Sequence, residues 1–491
     1  MSFQNLSLGS TLIIIGLITQ SFCVQAEKPL YTKPPFAAFT SQMPDALLGN
    51  SKYQKPVWNL HDYLQLPNWL ELNIEQRTRY ETLSGSYRKG TNGGDQQIPL
   101  QTSLWLAAHL NHFRIAGEFL DARQWGSDSG SGVNNTQVNS TDLIQAYLAW
   151  STQNLAYSGY GAEFMIGRQT LNLGSRRLVA RNYFRNTINS FEAIKFRLTD
   201  YENWQLQAFV SLPVNRYPSA SNDILQGGQS FDTADGHTWF SGFFLEGFNL
   251  MGKLNSELYL YHLDESDSEK VATRNRRYFT PGLRLFIKPI KGNFDFQSET
   301  IGQFGSVRAT NLNTDNLNLT HKAWYQHLDI GYTFDIVWSP RLAFEYDYAS
   351  GDHNPNDNID QRFDSLYGAR RFDFNPTGIY GAFSRSNINS PGYRINFSPN
   401  STIQAQIDHR FFWLAAAKDM WTTANLQDKT GNTKDFIGHQ LDISLRWDMN
   451  SSLNLETGWA HLFKGAFAKY VPNAPEAGDL NYFYAQSILR F

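Results

Sequence analysis

The chain has a single cysteine, Cys23, and it falls inside an N-terminal leader-like stretch. Without a second cysteine no intramolecular disulfide forms, and once a leader is removed no thiol chemistry remains. That usage is compatible with an oxidising envelope compartment. No apolar run of about 18 residues follows the N-terminus, which excludes a helical membrane protein. Charged residues are only 18% of the chain and the net charge is -3, so nothing in the balance points to nucleic acid. No Gly-rich phosphate loop, HExxH or GxSxG occurs, and the histidines are scattered without ligand spacing. Neither a cofactor nor a metal is expected. Asp352, Asn354, Asn356, Asn358 and Asp360 have the spacing of a calcium loop, but Asp357 stands where the turn glycine belongs and Phe363 where the bidentate acid belongs. Bound calcium and a solvated Asn/Asp loop both remain open there.

What is present is aromatic and alternating. Phe, Tyr and Trp make up 15% of the chain, yet mean hydropathy is only -0.44. Strands that are apolar on one face only produce that combination. Thr11–Ile18 is a short apolar core followed by Val24-Gln25-Ala26, which reads as a secretory signal over residues 1–26. Residues 27–68 are irregular and carry Pro29, Pro34, Pro35, Pro44, Pro56 and Pro67. They read as a periplasmic N-terminal segment packing against the barrel or its lower mouth. From residue 69 the period becomes two. Leu70, Leu72, Ile74 and Tyr80 share one face, and Glu71, Glu75, Arg77, Arg79 and Glu81 share the other. The same alternation predicts strands at 69–81, 100–110, 112–122, 142–151, 161–168, 190–199, 203–212, 237–247, 253–263, 274–287, 291–303, 321–334, 339–350, 388–397, 401–414, 437–448, 452–463 and 480–491. Phe209 is the one apolar residue on the polar parity of its strand.

About eighteen strands, with short turns and long polar loops in alternation, predict an all-β transmembrane outer-membrane β-barrel over residues 69–491. The terminal Phe491 on an amphipathic strand agrees with that reading. Soluble β-sandwich arrays and β-helices are disfavoured by the lack of domain-sized breaks and of a fixed repeat. In a barrel one parity faces lipid and the other the lumen. Arg77, Arg79, Arg114, Lys195, Arg197, Arg284, Arg394, Arg410 and Arg446 all lie on the polar parity, with acids among them available for pairing.

The densest positive stretch is Ile166–Leu198. It carries Arg168, Arg176, Arg177, Arg181, Arg185, Lys195 and Arg197 against the single acid Glu192. A solvated charge run is one reading. A loop that enters the lumen and narrows it with guanidinium groups is the other. Such a constriction selects anions and holds them by repeated weak contacts. Tyr183 and Phe184 beside it suit stacking against sugar rings. The paired acids Glu118 and Asp121 keep a barrel enzyme of glycosidase type open as a remote alternative.

The run GRQTLNLGSRRLVARNYFRNTINSFEAIKFRL resembles the core motif of the alginate export family of outer-membrane proteins. The segments Glu345–Asp357 and Phe363–Gly368 also resemble that family. The resemblance implies a monomeric 18-stranded barrel in a Gram-negative outer membrane, with a narrow, arginine-rich pore. It further implies export of alginate, an acidic polysaccharide, with an extracellular loop and a periplasmic turn as gates and periplasmic export machinery as a partner. Carried onto this sequence, Arg168, Arg176, Arg177, Arg181 and Arg185 are the candidate pore arginines. The leading expectation is a channel for an anionic polysaccharide or oligosaccharide. The alternative is a substrate-specific porin for small organic anions or acidic oligosaccharides.

Overall fold

The computed structural model describes residues 55–491, apart from 92, 129, 130, 270 and 477. The expected signal at 1–26, and the first part of the 27–68 segment, lie outside the described residues.

The strands are β1 (Leu70–Ser84), β2 (Asp95–Leu110), β3 (Phe113–Trp125), β4 (Asn139–Thr152), β5 (Gly161–Gln169), β6 (Phe191–Thr199), β7 (Trp204–Pro213), β8 (Thr238–Leu250) and β9 (Leu254–Glu265). They continue as β10 (Arg277–Ile287), β11 (Asn293–Arg308), β12 (Asn318–Thr333), β13 (Arg341–Ala349), β14 (Ile388–Phe397), β15 (Ile403–Trp413), β16 (Phe436–Asp448), β17 (Leu453–Lys464) and β18 (Leu480–Arg490). Each pairs antiparallel with its sequence neighbours. A further two-residue strand, Ile359–Asp360, lies parallel to Thr320–His321 and is not part of the wall. The ring closes where β1 pairs with β18, from Glu75 opposite Arg490 to Ser84 opposite Asn481. Closure leaves no sheet edge. In lipid that is obligatory, because an unpaired N–H or C=O there has no water to turn to.

The alternation read from the sequence is the alternation of the wall. Tyr80, Ile98, Phe119, Ile166, Val210, Leu258, Ile330, Phe344, Ile443 and Leu445 are exposed on the outside. Arg77, Arg79, Glu81, Glu118, Glu257, Arg284, Glu299, Asp347, Arg410 and Arg446 are buried inside. Exposed aromatic side chains ring both ends, with Trp69, Phe113, Phe294, Trp338 and Trp447 at one and Trp125, Trp239 and Trp324 at the other. They form the two interfacial girdles. Several strands run further than the sequence suggested. β2 begins at Asp95 and β11 ends at Arg308. These extensions carry single apolar residues, Ile98 on one and Phe304 and Val307 on the other, among polar residues, glycine and proline, so the hydropathy alternation fades before the ladder does.

One end carries short connections and the other carries long loops. At the short-turn end, residues 55–69 run beneath the barrel. The helix α1 (Leu60–Tyr63) is capped by the Asn59 side chain, which accepts from the Asp62 N–H at 2.9 Å. Ser451 Oγ donates to the Lys55 carbonyl at 2.7 Å, the Trp58 N–H donates to Ser452 Oγ at 2.9 Å, and the Trp58 and Phe491 rings lie 6.2 Å apart.

Candidate functional site

Two of the long loops fold into the lumen. The first, 170–190, joins β5 to β6. The second, 350–387, joins β13 to β14 and contains the short helix α2 (Arg371–Phe374). They meet in a strand-like contact. Tyr367 N–H donates to the Leu178 carbonyl at 2.9 Å, and Ala180 N–H donates to the Tyr367 carbonyl at 3.2 Å. Ala369 N–H donates to the Arg176 carbonyl at 3.0 Å. Gly368 sits so close that an added Cβ would overlap the carbonyl oxygen of Arg177. The two stretches that carry the family resemblance are thus one structural unit, joined across about 180 residues of sequence.

The inner wall is shaped to receive this unit. Phe209, out of pattern on its strand, faces inward and packs 5.3 Å from Phe240 and 6.0 Å from Tyr261. The Tyr367 ring seats against Phe240 at 5.0 Å and Phe191 at 5.2 Å. Leu171, Leu173, Leu178, Val179, Phe363, Phe374 and Phe383 join the same buried cluster. The lumen is therefore apolar and packed over part of its height, and polar elsewhere.

Beneath the joined loops lies a chamber of about 750 Å³. Its roof is Gly174–Arg177 and the Arg371–Asn375 stretch, and its lower rim is made by the short turns at Pro289, Ile336–Ser339 and Ser398–Ser401. It therefore faces the short-turn end. Arg176, Arg177, Arg284, Lys291, Arg341, Arg371 and Arg394 line it, against Asp329, Glu345 and Asp373. Most of these guanidinium groups are held in place by acids. Arg177 bridges Glu299 at 2.6 Å and Asp373 at 2.8 Å. Arg284 pairs with Glu257 at 2.7 Å, and Arg394 with Glu345 at 2.8 Å and Asp408 at 2.7 Å. Arg341 pairs with Asp295 and Asp329. Arg371 pairs with Glu456 and lies over the Phe184 ring at 3.9 Å. Arg176 adopts a positive φ of 65° in a tight turn, which places its guanidinium 5.0 Å over the Phe372 ring. Among the described residues, the buried polar atoms of the lining without a hydrogen-bond partner include Arg394 Nη2, Asn375 Nδ2, Gln404 Oε1 and Thr333 Oγ1.

Of the arginines picked out in the sequence, Arg176, Arg177, Arg284 and Arg394 come together on this chamber. The others do not line it. Arg77 and Arg79 are about 1% exposed and anchor the first inward loop to β1. Arg77 donates to the Arg185 carbonyl at 3.0 Å, and Arg79 to the Phe184 carbonyl at 2.8 Å. Arg181 reaches Glu118 on the wall at 2.9 Å, and Arg185 turns back to Asn189 and the Thr187 carbonyl. Arg168 is tied to Glu192 at 2.7 Å and to the carbonyls of Leu143 and Asp232. Arg114 and Arg197 converge on Glu163, with Lys195 on the same strand face as Arg197. Arg410 pairs with Asp347 at 2.6 Å and Arg446 with Asp448 at 2.9 Å. The expected ring of guanidiniums is thus divided: a folded loop has many buried carbonyls to satisfy, and cationic side chains supply the donors.

Sequence reading missed Arg341, Arg371 and Phe372 on the chamber, and Arg385 behind it. The signal was available in the run Gly368-Ala369-Arg370-Arg371-Phe372, which pairs arginine with an aromatic as the first loop does. The acids Glu118 and Asp121 cannot act as a pair. Glu118 is buried on the lumen side, whereas Asp121 lies on the opposite parity and holds Arg123 and Thr141. In the Asp352–Asp360 loop the side chains cap their own backbone, as with Ile359 N–H to Asp357 Oδ1 at 2.8 Å. Among the described residues, His327, Asp347 and Asp373 come close enough to share a metal. Arg177 and Arg385 already neutralise Asp373, and Arg410 neutralises Asp347, so a cation placed there would face three guanidiniums.

A family model for alginate export matches residues 68–477, and these include both inward loops and every strand up to β17. The chain belongs to the alginate export family. No curated protein matches the sequence. Several solved outer-membrane proteins share its fold. The outer membrane protein opdK from Pseudomonas aeruginosa is 10% identical with a TM-score of 0.52, over 86% of this chain and 98% of that one. OccK8 (OprE) from the same organism is 11% identical with a TM-score of 0.54, at the same coverage of both chains. OccAB1 from Acinetobacter baumannii is 11% identical with a TM-score of 0.53, over 86% of this chain and 96% of that one. The family and the closed barrel place this member in the Gram-negative outer membrane as a channel. The short turns therefore face the periplasm and the long loops the exterior. Among the described residues no connection at the periplasmic end exceeds that between Thr152 and Gly161.

Proposed function

We propose that this channel conducts an anionic polysaccharide or oligosaccharide, alginate-like in chemistry, and that the arginine chamber is its periplasmic binding point. The observation that carries the reading is the chamber itself. Seven cationic side chains against three acids line a cavity whose wall also holds the partnerless Arg394 Nη2, Asn375 Nδ2 and Gln404 Oε1. Two of these are donors suited to a carboxylate; the third is an acceptor suited to a hydroxyl. A hydroxylated sugar acid satisfies all three, and a simple carboxylate satisfies only the donors. The ion pairs on the lining blunt the field without removing it, which favours weak, repeated contacts over tight capture. Arg176 and Arg371 carry the most weight, because each stands over an aromatic ring at the chamber roof. Passage past the roof requires the two inward loops to separate, so they are the gate in this reading. We further read residues 1–26 as a leader, 27–68 as a periplasmic segment and the chain as a monomer.

The reading in which small organic anions are the cargo is favoured by one feature. The chamber is roofed, and about 750 Å³ holds a small solute more readily than a chain. Single-channel recording in planar bilayers separates the two. The expected result is anion selectivity that falls in Arg176→Ala and Arg371→Ala, with current blocked by polymannuronate at lower concentration than by its monomer. Block by monomer and polymer at equal uronate concentration would favour the small-anion porin. Cation selectivity indifferent to both substitutions would overturn the chamber as the site.

A further inference from the structure

The outward parity of the wall is apolar almost throughout, as lipid contact requires. A histidine-rich patch that departs from it lies at the extracellular margin of β14–β17. His409 on β15 and His439 on β16 are neighbours across a strand pair, where His439 stands opposite Phe411. Their facing nitrogens, His409 Nε2 and His439 Nδ1, are 3.0 Å apart. On its other side, His409 Nδ1 meets the Tyr393 hydroxyl at 2.6 Å. Both imidazoles are half-buried and collared by rings. His409 lies 4.8 Å from Phe411, and His439 is stacked on Phe463 at 4.5 Å with 15° between the planes.

We propose that His409 and His439 form a two-histidine site for a borderline divalent transition-metal cation of the Zn2+, Ni2+ or Cu2+ class. Two imidazole nitrogens bound cis to such an ion, each at about 2.0–2.1 Å, stand roughly 3 Å apart, which is the separation already present. Imidazole is the ligand these cations prefer over the oxygen donors that suit calcium or magnesium. The Tyr393 hydroxyl serves as the outer support. When it accepts from Nδ1–H, it fixes the His409 tautomer whose Nε2 lone pair points at His439. In the metal-free pair the same hydroxyl donates instead, and His409 Nε2–H then donates to His439 Nδ1. Binding therefore shifts a proton within one ring and releases none. The aromatic collar holds both rings without either being a strand-end loop residue, so little ordering cost remains on binding. The remaining coordination positions face the headgroup level and take water. His461, on β17, is the internal control. Its ring centroid lies 4.1 Å from that of Phe463, and its Nδ1 is engaged with Asn481 Oδ1 at 2.8 Å.

The test is calorimetric titration of Zn2+ and Ni2+ into the full chain, made without a polyhistidine tag and held in detergent micelles. One equivalent is expected to bind. His409→Phe and His439→Phe are each expected to abolish binding, and Tyr393→Phe to weaken it about tenfold. His461→Phe is expected to leave it unchanged. The substituted positions face outward among aromatics, and unaltered single-channel conductance in each variant reports an intact barrel. Absence of binding in the parent chain would overturn the proposal. So would binding that survives the double His409→Phe/His439→Phe variant, or that is lost equally in His461→Phe.

Discussion

Arg177 shows what most of the arginines in this lumen do. It is 3% exposed and makes charge-assisted hydrogen bonds to Glu299 and to both oxygens of Asp373. It thereby ties the first inward loop to β11 and to the second loop. Removing it leaves two buried carboxylates short of a counter-charge. Arg177→Ala is expected to cost about 3–5 kcal/mol, read as a lower unfolding midpoint in micelles and a noisier, larger single-channel current. Arg177→Lys is expected to recover only part, because an ammonium cannot grip Asp373 through two nitrogens as the guanidinium does. Phe209 teaches the complementary lesson. An aromatic on the polar parity looks like an error in the pattern, yet it marks where the wall packs against a loop rather than against water. Phe209→Ser, an apparent repair of the pattern, is expected to loosen the loop unit and raise conductance.

At the scale of elements, the two inward loops act as one plug, and its seam is narrow. Gly368 has room for hydrogen only, against the Arg177 carbonyl. Gly368→Ala is therefore expected to part the Leu178–Tyr367 contact and increase ion conductance, with the barrel itself unchanged. If current is unaltered by that substitution, the seam is not the barrier to passage. The long loops also carry a pH dependence. Burial, with the nearby Asp419 carboxylate adding to it, pushes Asp352 up to about 6; burial with Asp142 beside it does the same for Asp232. Folded pKa values above the ordinary 3.8 mean that the docked loops favour the protonated acids. Their contribution to docking is complete at pH below that ordinary value and is lost as pH rises through about 6. Hydrogen exchange over 215–235 and 351–365, corrected for its intrinsic pH dependence, is expected to be slower at pH 5 than at pH 7.5. Asp352→Asn with Asp232→Asn is expected to flatten the difference.

For the whole molecule, the packed loops and the closed wall set the conductance. A barrel of this strand number emptied of its loops would be a wide aqueous pore. Here the lumen is filled by an apolar cluster that includes Phe184, Phe240, Tyr261 and Phe383. The resting single-channel current is therefore expected to be far below that of a variant with 170–190 shortened to a turn, in the same bilayer and salt. Equal currents would mean that the loops leave the lumen at rest.

The sequence by itself determined the barrel. The period-two pattern, the number of strands, the alternation of short and long connections and the terminal aromatic strand are local properties. Each is dictated by a bilayer that tolerates no unpaired backbone and few lipid-facing charges. It also marked the basic stretch, because so many arginines with one acid cannot lie against lipid, but left it as either a solvated charge run or a loop entering the lumen. Only the tertiary structure decided which arginines face open space. A guanidinium that binds substrate and one that satisfies a buried carbonyl are the same residue on the same parity. The difference lies in whether a loop carbonyl, a wall carboxylate or a cavity stands opposite, and those partners come from strands and loops far away in the sequence. Arg77 opposite the 183–186 backbone and Arg371 opposite Glu456 are both such cases. The pairing of the two inward loops, and with it the roof of the chamber, is a long-range contact of the same kind, set by packing against the wall and not by the period of any one segment.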